Sequence, residues 1–355
     1  MNYLNHPVKT LYFLALTAAI LYVPLCQAET SSEFLVFPNI NLVYNSNLDD
    51  GSDLTIDDDE IGVDLFATLE VDNFRMLAEF LLTNKEFDFE RLQVGWLSNN
   101  HLFWLGRFHN PVGYWNTRYH HGAYLQTSIT RPSIIEYEEL GGILPMHQTG
   151  VLVERAIVYG EEELGYSFAF GAGPEYTDEL VPWDFLNPGS GSNDISLTLN
   201  LHRKFGRKIP ATLGLFANYT IIPADVVDLD EIRQSTIGIY ASWNTSHWRW
   251  HGSSQYVYNQ LEHPFSSVTD AFINAYLQSE YQLNERWKFY ARIEGTFGGE
   301  DDAYLDLFPG FIEDRVLGGV RWDLAPQNAL KLELSANQTR QDRFEQVMLQ
   351  WSAYF

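Results

Sequence analysis

The chain has 355 residues, 47 acidic against 22 basic for a net charge of -25, and 15% of it is aromatic. Such an acid excess opposes a phosphate backbone and excludes nucleic acid as a partner. Its single cysteine, Cys26, falls in a stretch expected to be removed, which leaves no thiol for a disulfide, a nucleophile or a metal.

Residues 1–28 read as a secretory signal peptide. One cation, Lys9, precedes an apolar run from Leu11 to Leu25 that ends in Cys26-Gln27-Ala28. The run is shorter than the roughly 20 residues of a membrane-spanning helix, and the small Ala28 suits cleavage before Glu29. Lipid attachment at Cys26 is disfavoured by Leu25, because the processing signal takes a small residue there. Residues 29–355 are expected to form one domain, with 21 basic against 47 acidic residues and a net charge of -26. In a pore, that excess would enrich cations near the mouths over a Debye length of about 8 Å.

Beyond the leader, segments of about 10 to 12 residues alternate apolar and polar positions, the length a strand tilted near 45° needs to cross a bilayer. Sixteen such segments begin near residues 33, 60, 74, 88, 101, 147, 164, 193, 210, 232, 247, 270, 286, 314, 329 and 343. From Trp287 to Phe297, for instance, Trp287, Phe289, Ala291 and Ile293 share one face while Lys288, Tyr290, Arg292 and Glu294 share the other. Leu330, Leu332, Leu334 and Ala336 likewise alternate with Lys331, Glu333, Ser335 and Asn337. Apolar outside and charged inside is the pattern of a wet lumen. Hydrocarbon offers nothing to unpaired backbone groups, so strands that span it must close into a barrel, and interfacial girdles account for the aromatic content. The expected fold is an all-β antiparallel transmembrane barrel of about 16 strands, within 14 to 18.

The gaps alternate in length as well. Even gaps are tight: Asp72-Asn73, Ser98 to Asn100, Asn244 to Ser246, and Ala325 to Asn328. Odd gaps are long: 45 to 59, 109 to 146, 176 to 192, 222 to 231, 259 to 269 and 298 to 313. Short odd gaps near Lys85 and Gln341, and a longer even gap from Arg203 to Ile209, are the exceptions. With both termini in the periplasm, the long class falls outside the cell. The first long gap holds Asp49, Asp50, Asp53, Asp57, Asp58, Asp59 and Glu60 without a cation, a solvated acidic loop or a calcium contact to lipopolysaccharide. At the other end Phe355 is preceded by Ala353, Trp351, Leu349 and Val347 at every second position, which resembles the terminal signature that the barrel assembly machinery of the outer membrane reads.

Strand number, gap parity and terminal Phe together resemble the trimeric porins of Gram-negative outer membranes over nearly the whole chain after residue 28. Glu139-Leu140-Gly141-Gly142 also resembles the acidic-aromatic-Gly-Gly run of a porin third loop, with Leu140 replacing the aromatic and no acid after the glycines. The resemblance implies export to the outer membrane, contact with its lipids and lipopolysaccharide, a homotrimer, and a third loop folded inward to narrow a passive channel for small hydrophilic solutes. It implies no cofactor.

The third gap, His109 to Met146, is by far the longest, and nearly 40 residues without strands call for a functional explanation. Arg118, Arg131, Glu136, Glu138 and Glu139 are the expected constriction, with tyrosines and tryptophan as packing surface and Gly113, Gly122, Gly141, Gly142, Pro111, Pro132 and Pro145 as turn residues. Arg75, Arg91 and Arg107 fall on inward positions of three successive strands and are expected to form a basic wall facing those carboxylates. Four of ten histidines, His109, His120, His121 and His147, cluster here; they are metal-ligand candidates or ordinary polar loop residues. Two other functions stay open: a substrate-specific channel for an anion or a metal ion, and a barrel enzyme of lipase or protease type built on Ser128 with His147 or Ser246 with His247. No Gly-x-Ser-x-Gly elbow supports the enzyme.

Overall fold

The computed structural model describes residues 30–47, 55, 56, 59–85, 87–119, 122–184, 194–206 and 210–355. The expected leader and most of the acidic first loop lie outside them. Sixteen long strands run in chain order: β1 Thr30–Asn47, β2 Glu60–Val71, β3 Phe74–Thr83, β4 Phe87–Ser98, β5 His101–His109, β6 His147–Tyr159, β7 Glu162–Ala172, β8 Ile195–Lys204, β9 Ala211–Val226, β10 Leu229–Asn244, β11 Trp248–His263, β12 Ser266–Gln282, β13 Trp287–Phe297, β14 Asp314–Ala325, β15 Asn328–Gln338 and β16 Arg343–Ala353. Each pairs antiparallel with the next, and β1 returns to β16 through Asn39↔Ser352 to Asn47↔Phe344, so the sheet closes on itself. Closure removes every free sheet edge, which is what a spanning β-structure requires.

The alternation carries the two environments as expected. On β9, Leu213, Leu215 and Tyr219 are exposed outward while Phe216, Asn218 and Thr220 are buried inward. Trp248, Trp250, Tyr281, Trp287 and Trp322 gather at the short-turn end, where Trp287 and Trp322 lie 5.2 Å apart with an interplanar angle of 2°. Such rings suit the headgroup level.

Two expected loops are corrected. Residues 222 to 231 and 259 to 269 are continuous hairpins that turn at Val227-Asp228 and Pro264-Phe265, with pairing carried to Val226↔Leu229 and His263↔Ser266. Strands β9 to β11 have 16 residues and β12 has 17. At roughly 3.3 Å per residue and a tilt near 45° they outreach a hydrocarbon core of about 30 Å. Above it both strand faces meet water, so the apolar alternation fades and Pro223, Asp225, Asp228 and Asp230 read as loop.

Two irregularities shape the wall next to the third loop. Gly106, Gly150 and Gly171 are opposite one another on β5, β6 and β7. A Cβ at Gly106, where φ is +140°, would stand 2.0 Å from Leu92 O. Beyond this crease the successive residues Phe108 and His109 both border the lumen. In β4 a register shift opposite Glu79 and Leu81 buries the successive residues Glu90 and Arg91.

Candidate channel constriction

The third loop leaves β5 at Asn110, whose N–H donates to Met146 O at 2.7 Å and whose Nδ2 donates to Pro145 O at 2.9 Å, so its two stems are tied together. Helix α1, Gly113–Arg118, presses Tyr114 and Trp115 against His251 of β11, each with ring centroids 5.4 Å away. The chain then crosses to β1, where Gly122 leaves no room for a side chain: a Cβ would lie 2.3 Å from Phe37.

From Ala123 to Ser133 the loop runs across β16 to β12, and charged residues of that wall hold its backbone. Lys331 Nζ donates to Ala123 O at 2.6 Å, and Arg321 donates to Tyr124 O at 2.5 Å and Gln126 O at 2.9 Å. Glu333 accepts from Ile129 N at 2.9 Å, and Glu294 from Ser133 N at 2.6 Å. Arg292 donates to Thr130 O at 2.9 Å and to Arg131 O at 2.8 Å, and Arg315 to Arg131 O at 3.0 Å. A peptide segment inside a lumen needs partners for its amides and carbonyls, and these side chains supply them. On the long-loop side Ile143 and Leu144 join Tyr304, Leu305, Phe308 and Phe311 in an apolar cluster, and the Tyr304 hydroxyl donates to Ile143 O. Those four come from the loop between β13 and β14, which contains the short helix α2, Ala303–Asp306.

The loop divides the interior. A cavity of about 470 Å³ on the long-loop side is bordered by Asn39, Asn41, Asn45, Glu60, Asp64, Glu79, Glu90, Glu136, Lys85 and Arg131. A second, of about 380 Å³ toward the short turns, is bordered by Arg91, His109, Asn116, Arg118, Glu154, Glu163, Asn200 and Lys204. Side-chain contacts with one partner in either cavity join them, among them a 3.5 Å approach of the Tyr137 hydroxyl to the His109 ring. Arg91 Nε donates to Glu79 Oε2 at 2.5 Å, His109 Nε2 lies 3.4 Å from Glu90 Oε2, and Arg131 donates to Asn116 Oδ1 at 3.2 Å. At these points the partition is one pair of side chains thick.

The residues singled out from sequence have separate placements. Arg118 ends α1 exposed to the second cavity. Arg131 is buried, 3.6 Å above the Tyr137 ring. Glu136 borders the first cavity, and burial pushes its carboxyl above the ordinary range against the opposing pull of Arg131 and Arg315. Glu138 is fully buried and faces backbone rather than solvent, accepting from Met146 N at 2.6 Å and His147 N at 3.0 Å. Arg75 caps the first short turn, donating to Asp72 O at 2.6 Å. Arg107 is buried with Asp88 3.8 Å away. His109 and His147 are opposite each other at the loop's stems. The Glu139 side chain, His120 and His121 lie outside the described residues. Asp64, Glu79 and Glu90 were not singled out: their only signal is a polar residue at an inward position, and the shift in β4 breaks the count that would have found Glu90.

Comparison with protein-family models and with curated proteins gives no match. Solved structures do match. The anion-selective porin from Comamonas acidovorans is 13% identical with a TM-score of 0.59, over 92% of this chain and 100% of the porin. The outer membrane channel DcaP of Acinetobacter baumannii is 11% identical with a TM-score of 0.59, over 92% and 97%. The trimer form of OmpT, an outer membrane protein of Vibrio cholerae, is 10% identical with a TM-score of 0.55, over 92% and 99%. The chain therefore has the fold of the outer-membrane porins, a closed antiparallel barrel of 16 strands.

Proposed function

We propose that the protein is a passive outer-membrane channel for small hydrophilic solutes, constricted by its third loop and biased toward cations. The observation that carries this reading is the partition: two polar cavities on either side of the third loop, separated by side-chain contacts that include Glu79–Arg91, Glu90–His109 and Arg131–Asn116. A layer so thin can part for a small hydrated solute and resist a large one. Around the first cavity Glu60, Asp64, Glu79, Glu90 and Glu136 outnumber Lys85, Arg131 and Arg315, which favours cations at the entrance. The fold alone sets no sign, since one neighbour is an anion-selective porin.

The reading places the long loops outside the cell, among lipopolysaccharide, and takes the homotrimer from the trimeric neighbour. A hydrolase is a poorer fit. Ser128 Oγ donates to Thr130 O at 3.1 Å, while His147 stands between the carboxylates of Glu90 and Glu138, each 2.9 Å away. The test is conductance and reversal potential in a planar bilayer under a salt gradient. Stable steps with a cation-side reversal are expected; silence from the folded barrel would sink the channel reading, and an anion-side reversal the bias alone.

A further inference from the structure

We infer that Glu90, His109 and His147 form a binding site for a borderline divalent cation, with zinc as the probe, which fastens the two stems of the third loop. His109 ends β5 and His147 opens β6 directly opposite, with ring centroids 5.0 Å apart. Glu90 enters from the irregular part of β4, and its Oε2 lies 3.4 Å from His109 Nε2 and 2.9 Å from His147 Nε2. One donor atom from each of the three lies within 4.8 Å of the others, and all three residues are buried. Tetrahedral zinc with ligands at about 2.0–2.2 Å spaces neighbouring donors roughly 3.3 Å apart, so two of the three edges are already near that value. Two imidazoles with one carboxylate, and water in the fourth position, is a donor set zinc accepts.

The surroundings suit an ion as well. His147 Nδ1 lies 2.9 Å from Glu138 Oε2, and a carboxylate on the far side of an imidazole fixes the ring and raises its basicity toward a metal. Glu138 is itself held by two backbone N–H groups of the stem. The same contacts would seat a lone His147 imidazolium between two carboxylates. What favours a divalent ion is the second imidazole, His109, brought from the opposite strand to the same oxygen of Glu90. Glu90 borders the acid-rich cavity, which would concentrate cations beside the site. An ion there joins β4, β5 and β6 at the root of the loop, so its removal should loosen the loop without unfolding the barrel.

The experiment is equilibrium dialysis of zinc against the whole protein, purified without a histidine tag, with folding of each variant checked by heat-modifiable mobility. One zinc per chain is expected, lost in His109→Ala and in His147→Ala, and held about 10- to 100-fold more weakly in Glu138→Gln. If His147→Ala does not fold, His109→Ala decides alone, since it leaves the Glu138–His147 contact in place. The site is refuted if the wild type holds no zinc, if His109→Ala binds it as well as wild type, or if replacing His120 and His121 abolishes binding while His109→Ala does not. No transport is read, so failure here leaves the channel reading standing.

Discussion

The two sides of the lumen carry the same kind of residue and use it oppositely. On β13 to β15, Arg292, Glu294, Arg315, Arg321, Lys331 and Glu333 are buried and hydrogen bonded to the backbone of residues 123–133. On β1 to β4, Asn39, Asn41, Asp64, Glu79 and Glu90 border open space. A charge at an inward strand position thus either anchors the third loop or borders the cavity, and the path of the loop decides which. The loop is held on one side, and the first cavity lies along the other.

Releasing an anchor should give the largest effect. The Arg292 side chain is fully buried and also donates to Glu294 Oε1 at 2.8 Å and Gln278 Oε1 at 3.0 Å. Arg292→Ala leaves the buried Glu294 with Arg315, 3.4 Å away, as its remaining cation and takes one donor from each of two loop carbonyls, so stability should fall by about 3 kcal/mol. Urea unfolding in lipid vesicles measures that, and conductance should at least double as the loop slackens. Unchanged conductance would mean the β13 to β15 contacts do not position the loop.

Glu138→Gln should be next. It leaves the cavity charge alone but weakens the acceptor for two backbone N–H groups and one imidazole, so a loss of about 1.5–3 kcal/mol is expected with selectivity unchanged. Glu136→Gln is its converse: stability nearly constant, cation preference reduced. One charge about 6 Å from the path contributes roughly 0.7 kcal/mol in water-like surroundings, about a threefold change in permeability ratio. The pair dissociates clasp from filter, two roles that Glu136, Glu138 and Glu139 could not be assigned from sequence because all three are acids in one loop.

Acidification sharpens the same distinction. Burial raises the Glu136 pKa, so the carboxylate is lost at a higher pH than an ordinary glutamate as pH falls. Cation preference in the wild type should therefore begin to decline above the usual carboxylate range, and Glu136→Gln should weaken that early phase. Reversal potentials across a pH series read both.

Barrel closure, strand number and the inward loop were legible because each rests on a repeating signal: period-two hydrophobicity, and alternation of short and long gaps. The two extended hairpins were not, since beyond the bilayer nothing enforces the period. Nor was the site. Glu90 and His109 reach the partition through a register shift and a glycine crease, and both break the alternation by which inward residues are counted.

The smallest effect should come from a residue that sequence made equivalent to two others. Arg75, Arg91 and Arg107 all sit at inward positions, yet Arg91 closes the partition against Glu79, Arg107 is buried beside Asp88, and Arg75 caps a turn. The Glu70 partner of Arg75 is half exposed at 52%, so water screens that 3.4 Å pair. Arg75→Ala should cost no more than about 1 kcal/mol and leave conductance unchanged. Arg91→Ala, by contrast, removes one of the contacts between the cavities and should raise conductance. Equal conductance changes in the two variants would mean that the Glu79–Arg91 contact is no barrier and that solutes cross elsewhere.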